Sequence, residues 1–217
     1  MEQRKRVVIA ANGSMDDSAF HSRILSEADV IICADGGANR IHELGFTPDM
    51  VIGDLDSITA KVHASLRGNG RTKVIEDPDQ DKTDLELAIA QALKLAPFEI
   101  IIIGAIGTRL DHTLANALSL SRIPPSLPCR MMDEHNTVWL VSSSLEVKGA
   151  AGSTLSVIAA SDVKGLTYAG LKWCISNKDV PSGWIGISNR MAGETARISL
   201  RKGMVLVMQS VDAQVKP

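Results

Sequence analysis

Between Glu76 and Glu86 the chain carries six carboxylates, Glu76, Asp77, Asp79, Asp81, Asp84 and Glu86, against the single cation Lys82. Two like charges ~4 Å apart repel by roughly 4 kcal/mol at an effective dielectric near 20. A second acidic string, Gly53-Asp-Leu-Asp-Ser57, lies just upstream. If the two meet, something positive should be bound between them. A hard divalent cation is the economical answer, because Mg²⁺ takes oxygen ligands and is normally held by one or two carboxylates plus substrate phosphates. The chain lacks the clustered His and Cys that zinc prefers. Phosphate would have to be held without a P-loop, since GxxxxGK[ST] does not occur. Other donors are available: glycine-rich turns such as Asp35-Gly-Gly-Ala-Asn39 and Gly104-Ala-Ile-Gly107, helix N-termini, and the forked guanidinium of Arg109.

Positioning these residues requires a scaffold, and up to about residue 123 the pattern supplies one. Short Val- and Ile-rich runs alternate with longer segments of helical spacing, the signature of βαβ units and a parallel sheet. The expected strands are Arg6–Ala10, Val30–Ala34, Met50–Ile52, Lys73–Ile75 and Glu99–Ile103. Two helices stand out, one carrying Leu85, Ala88, Ile89, Ala92 and Leu93, the other Leu110, Leu114, Ala117 and Leu118, each with its apolar residues on one face. Thr83 and Glu86 form a capping box at the start of the first, with Asp84 favoured in the first turn by the helix dipole. In an open parallel sheet, ligands gather at the carboxyl ends of the strands, and the acidic and glycine-rich strings all follow expected strands. Each alone has a structural use, as a turn, a cap or a solvated loop.

The three prolines of Ile123-Pro-Pro-Ser-Leu-Pro128 halt helix formation, and a domain boundary is expected there. Beyond it come Thr137–Val141, Leu145–Val147, Thr154–Ile158, Ile185–Ile187, Ala196–Leu200 and Met204–Met208, several of them alternating and none with a sustained helical period. The expected architecture is therefore α/β: an N-terminal doubly wound, Rossmann-like, mostly parallel sheet domain (1–125) followed by a C-terminal all-β sandwich (126–217). Residues 1–125 hold 13 Lys and Arg against 18 Asp and Glu, whereas residues 126–217 hold 10 against 7. No dense basic face is indicated, which argues against nucleic acid. Three widely spaced cysteines, Cys33, Cys129 and Cys174, suggest neither a disulfide framework nor zinc and fit a reducing cytoplasm. The apolar runs at 7–11 and 100–103 are too short for a signal-peptide core or a membrane span.

Four strings in order, Asp35-Gly-Gly-Ala-Asn39, Gly53-Asp-Leu-Asp-Ser57, Asp79-Gln-Asp-Lys-Thr-Asp-Leu-Glu86 and Gly107-Thr-Arg-Leu-Asp-His-Thr-Leu-Ala-Asn116, resemble the motifs of the thiamine pyrophosphokinase family. A looser likeness continues through Gly165-Leu166, Gly170-Leu-Lys-Trp173, Ser188-Asn189 and Arg201-Lys-Gly-Met-Val-Leu-Val207. The resemblance implies transfer of a diphosphoryl group from ATP to the hydroxyethyl oxygen of thiamine, giving thiamine diphosphate and AMP, in a homodimer with active sites between subunits. It further implies Mg²⁺ ligation by Asp54, Asp56 and Asp84, and contacts to ATP from Gln80, Asp81 and Thr83. Arg109 and Asp111 fall at the phosphate end, with His112 and Asn116 on the nucleotide side. Asp35 and Asn39 would hold the nucleotide or order its loops. Trp173, Ser188 and Asn189 would serve thiamine, Trp173 by offering a π face to a cationic thiazolium, although a tryptophan in a β domain is often core. Cys174 follows Trp173 where the family often has proline. The acceptor of the hydroxyl proton stays open between Asp81 and Asp84.

Asp54-Leu-Asp56 alone would also suit a haloacid-dehalogenase-like phosphatase or a nucleotide-sugar glycosyltransferase. The phosphatase pattern wants Thr or Val where Ile58 stands, and neither rival employs the acidic loop at 79–84. A nucleotide- or thiamine-sensing protein without turnover is the non-enzymatic alternative.

Overall fold

The computed structural model describes residues 4–77 and 81–211. These group into two compact units, one running to Glu134 and one from His135.

The first unit follows the order β1 (Arg6–Ala10), α1 (Ser18–Ser26), β2 (Val30–Ala34), α2 (Gly37–Glu43), β3 (Met50–Gly53), α3 (Ala60–Asn69), β4 (Lys73–Glu76), α4 (Asp84–Lys94), β5 (Glu99–Ile103), α5 (Leu110–Ser119) and β6 (Cys129–Met132). Its strands lie in the order β6-β5-β1-β2-β3-β4, and all five pairings are parallel. Side chains alternate between sheet faces, and both faces are covered. Val8, Ala10, Cys33, Val51 and Ile101 form a core with Ile24 and Leu25 of α1, Ala38 and Ile41 of α2, and Val62 and Leu66 of α3. On the other face α4 lies over β1, β2 and β3 with Leu85, Ala88, Ile89 and Ala92 buried. Each fully buried Ile or Leu contributes about 1.5–3 kcal/mol relative to exposure, so the apolar strands anchor the sheet whose ends carry the acidic loops.

The chain builds outward from β1 to β4 on one side and then crosses to β5 and β6 on the other. The crevice at the carboxyl ends of β1 and β5 is therefore the topological switch point, where open α/β sheets bind ligands. The proline-rich segment does stop α5 and its short 3₁₀ extension. The chain then returns as β6, and the Pro128 carbonyl accepts from the Ile100 amide at 2.9 Å.

One expectation for this unit does not hold. Leu110, Leu114 and Leu118 of α5, expected on a packed apolar face with Ala117, are 68%, 53% and 51% exposed; of that face Ala117 is buried, as is Ser119 beyond it. The face carrying Thr113, Asn116 and Ala117 turns inward and leaves the leucine stripe outside.

The second unit comprises β7 (Asn136–Val141), β8 (Ser144–Lys148), β9 (Thr154–Ala159), β10 (Val163–Ala169), β11 (Lys178–Val180), β12 (Ile185–Arg190), β13 (Thr195–Ser199) and β14 (Val205–Ser210). Antiparallel pairing runs β12-β9-β14-β7 and β11-β10-β13-β8. Leu155, Val157, Val205 and Val207 from the first set share one core with Val147, Leu166, Ala196 and Ile198 from the second, as a β-sandwich requires. Strand β10 breaks the alternation at Gly165, which is left-handed (φ +71°), where its pairing with β11 shifts register between Val163 and Leu166. Among the described residues, no helix is long and apolar enough to cross a membrane.

Candidate functional site

A cleft of about 910 Å³ opens at the strand ends of the first unit, lined by residues that follow β1, β2, β3 and β5 and by the start of α4. Its acidic wall is built by two turns in unusual backbone conformations. Asp35, directly after β2, has φ +41°, and Leu55, two residues after β3, has φ +65°. For non-glycine residues this region costs about 1–3 kcal/mol, and it persists only where the surroundings hold the residue there. For Asp35 the restraint is its amide, which donates to the Ile52 carbonyl at 2.8 Å. Leu55 is held by packing its side chain against the core. One oxygen from each of Asp35, Asp54 and Asp56 lies within 4.8 Å of the others.

Gly53 lets Asp84 join them. A methyl group at Gly53 would come within 2.6 Å of Asp84 Oδ1 and 2.8 Å of the Asp35 side chain, so only a bare α-carbon permits this approach. Asp84 is delivered by the first turn of α4, whose capping box is the expected one: Thr83 Oγ1 accepts from the Glu86 amide at 3.2 Å and Glu86 Oε2 from the Thr83 amide at 3.0 Å. Burial and the charges of Asp35, Asp54 and Asp56 push the Asp84 carboxyl up to about 6, while a hydrogen bond from the Asp54 backbone acts the other way. Asp35 is 4% exposed, and its Oδ1 is buried without a hydrogen-bond partner. Crowded carboxylates with a buried, unpartnered oxygen suit a hard cation with oxygen ligands. Asp35 thus joins the Asp54/Asp56 pair, and Asp84 feels the charges of all three.

The remaining residues singled out from the sequence divide into those that line the cleft and those that brace it. Thr83, Arg109, Asp111, His112 and Asn116 belong to the lining. Arg109 pairs with Asp111 through Nη2–Oδ2 (2.6 Å) and Nε–Oδ1 (3.3 Å), and the hydrogen bond from Arg109 holds the Asp111 carboxyl down at about 2. Asn116 Nδ2 donates to the Ala105 carbonyl at 2.8 Å, securing the loop after β5. Asn39 sits on α2 and reaches across to the segment after Asp56, while the lining takes in Arg40 and Ser57. Asp81 is exposed. Gln80 lies outside the described residues.

Asn12, Gly13 and Ser14, directly after β1, also line the cleft and were not anticipated. Gly13 donates its amide to the Gly104 carbonyl at 2.6 Å, and a Cβ there would lie 2.3 Å from that same oxygen. The signal was present as Asn-Gly following an apolar run; its weight depends on β1 lying beside β5, which spacing alone does not reveal.

In the second unit, Trp173 and Asn189 clasp each other: the Trp173 amide donates to Asn189 Oδ1 at 3.1 Å, and Asn189 Nδ2 donates to the Trp173 carbonyl at 2.7 Å. The indole is 56% exposed, which removes the core reading; Trp139 and Trp184 are the tryptophans packed on that unit's core. Lys172 Nζ lies 4.8 Å from the Trp173 ring centroid, so the ring already attracts a cation. Ser188, beside Asn189, is left-handed (φ +60°), and its amide donates to Ser156 Oγ at 3.1 Å.

The chain resembles known proteins along most of its length. Residues 21–129 match the family model described as "Thiamin pyrophosphokinase, catalytic domain", and residues 142–205 match "Thiamin pyrophosphokinase, vitamin B1 binding domain". A thiamine pyrophosphokinase of Bacillus subtilis (strain 168) is 27% identical over 214 residues, covering 96% of this chain and 100% of the relative. Thiamine pyrophosphokinase 1 of Oryza sativa subsp. japonica is 27% identical over 208 residues, covering 83% and 78%. Among crystal structures, the Bacillus subtilis enzyme superposes with a TM-score of 0.82 at 26% identity, covering 96% of this chain and 100% of that one. The thiamin pyrophosphokinase of Geobacillus thermodenitrificans gives 0.83 at 25% identity, covering 97% and 100%.

Proposed function

Since the chain belongs to the thiamin pyrophosphokinase family, we propose that it transfers the diphosphoryl group of ATP to the hydroxyethyl oxygen of thiamine, releasing thiamine diphosphate and AMP. The observation that carries this reading is the meeting of Asp35, Asp54 and Asp56 within 4.8 Å, with Asp84 against them, at the rim of a cleft large enough for a nucleotide. Asp35, Asp54 and Asp56, with Asp84 beside them, would hold Mg²⁺. Bound there, the ion would supply neutralising charge for the phosphate oxygens of ATP.

The protein's own groups do the remaining work. In-line attack on the β-phosphorus is governed by positioning and by stabilisation of charge on the transferred oxygens. Arg109 is suited to that stabilisation because a guanidinium has five N–H donors and Asp111 engages two of its nitrogens. The proton of the attacking hydroxyl falls to one of two carboxylates, Asp84, which lies against the acidic trio, or Asp81, which is exposed. The first unit is then the Mg-ATP domain and the second the thiamine domain. Homodimerisation, with active sites at the subunit interface, belongs to the same reading. It is supported by the exposed Leu110, Leu114 and Leu118 stripe, which a second copy would bury. A reducing compartment such as the cytoplasm agrees with the three free cysteines.

The direct test incubates the protein with Mg-ATP and thiamine and follows products by phosphorus NMR. AMP and thiamine diphosphate are expected in equal amounts. ADP would indicate single-phosphoryl transfer and overturn the mechanism, while thiamine binding without turnover would favour a sensor.

Trp173 gives a second prediction. A cation–π contact is worth about 0.5–2 kcal/mol, so Trp173→Ala should raise KM for thiamine by about 2- to 30-fold with KM for ATP unchanged. An unaltered thiamine KM would remove Trp173 from the acceptor site.

A further inference from the structure

We infer that Asn39 is a positioning residue that clamps the Asp54–Asp56 turn to the Asp35 turn and so holds the three carboxylates together before a divalent cation arrives. The inference rests on the reading of Asp35, Asp54 and Asp56 as a cation site. A cluster of like charges tends to spread, and here the spreading would also relieve backbone strain. Of the five non-glycine residues with positive φ among the described residues, two, Asp35 and Leu55, lie in these turns. Something outside the cluster must oppose both tendencies.

Asn39 is placed to do so. It stands four residues after Asp35 in the first turn of α2, and that turn is bonded back to the Asp35 loop through Ala38 amide to Asp35 carbonyl and Asn39 amide to Gly36 carbonyl, each 3.0 Å. Its side chain crosses to the segment after Asp56. Nδ2 donates to the Ser57 carbonyl at 2.8 Å, and Oδ1 accepts from the Thr59 amide at 3.0 Å and from Thr59 Oγ1 at 3.2 Å. Ser57 Oγ in turn donates to Asp56 Oδ1 at 2.9 Å, which continues the tie into the cluster. The partners fix the amide's orientation, because a flip would set oxygen against the Ser57 carbonyl and an NH₂ group against the Thr59 amide. Both lone pairs of Oδ1 and one of the two Nδ2 hydrogens are thereby occupied. The family resemblance implies for Asn39 either holding the nucleotide or ordering the loops, and this geometry favours the second.

Outer partners of metal ligands typically govern about 10- to 100-fold in metal affinity. The test titrates Mn²⁺ into the full chain without nucleotide, follows the free-ion EPR signal, and compares wild type with Asn39→Ala and Asn39→Asp. Wild type is expected to bind Mn²⁺ in competition with Mg²⁺, and Asn39→Ala to bind it about 10- to 100-fold more weakly, with excess cation restoring turnover and KM for thiamine unchanged. Asn39→Asp, equal in volume, discriminates by sign. It adds negative charge near the site, which alone would tighten cation binding. It also opposes a carboxylate to the Ser57 carbonyl, which breaks the clamp and should weaken binding. Wild-type or tighter affinity in a cooperatively melting Asn39→Asp variant would overturn the inference, and this readout holds even if Asn39→Ala fails to fold. Absence of Mn²⁺ binding by wild type would instead overturn the cation-site reading on which it rests.

Discussion

Asp54→Asn is expected to lower kcat/KM by about 10³-fold or more, and to leave the protein at least as resistant to unfolding in cation-free buffer. The loss follows from the place of Asp54 in the acidic trio with Asp35 and Asp56. A bound cation stabilises transferred phosphoryl charge by several kcal/mol, and at 1.36 kcal/mol per decade of rate the loss of about 4 kcal/mol is a factor near 10³. The unfolding result follows from the same geometry. Asn is nearly isosteric and keeps an oxygen to accept from the Asp56 amide, now 3.3 Å from Asp54 Oδ1, while removing one of the charges that repel each other across less than 4.8 Å. Steady-state kinetics at saturating Mg²⁺, with thermal unfolding in EDTA, would check both halves. Full activity would remove Asp54 from the site; lost activity with a collapsed melting temperature would assign it a structural role.

How far the sequence discloses this arrangement depends on which physical signal each part uses. Strands β1, β2 and β5 have the bounds read from their Val- and Ile-rich runs, because a strand buried on both faces must be apolar almost throughout. The Thr83–Glu86 capping box is equally legible, since its hydrogen bonds lie within four residues. Elements whose justification is distant are not. Cys129–Met132 forms β6 by pairing with the distant β5. The α5 leucines announce an apolar face at helical spacing, yet spacing does not say what covers it, and here it stays exposed.

The site shows the same division. The acidic strings can be read as strand-end loops, but their adjacency is a property of strand order. With β2 and β3 side by side, Asp35 comes within reach of Asp54 and Asp56; with β1 beside β5, the Asn12–Ser14 loop reaches the cleft. Neither pairing has a local signature. The positive φ at Asp35 and Leu55 is likewise invisible in composition, since both residue types usually avoid it.

Asp84→Asn provides the sharpest contrast between function and stability. In the cation-free protein the Asp84 carboxyl titrates at about 6 rather than near 3.8, chiefly through burial and then through the charges of Asp35, Asp54 and Asp56. A carboxyl whose folded pKa is raised favours the folded state most when protonated, so its contribution is intact below about 4 and is lost as pH rises through about 6. Two pKa units correspond to about 3 kcal/mol; Asp84 is only half-buried, and solvent screening reduces this to about 1–2 kcal/mol. At pH 7.5 without divalent cations, Asp84→Asn should therefore unfold about 2–8 °C above wild type, and the difference should vanish near pH 4. Saturating Mg²⁺ should reverse the order, because the cation offsets the repulsion in wild type and has lost a carboxylate in the variant. Turnover should fall with it. A variant no more stable than wild type at pH 7.5, or equally stabilised by Mg²⁺, would show that Asp84 is not strained against the acidic trio and does not help to hold the ion.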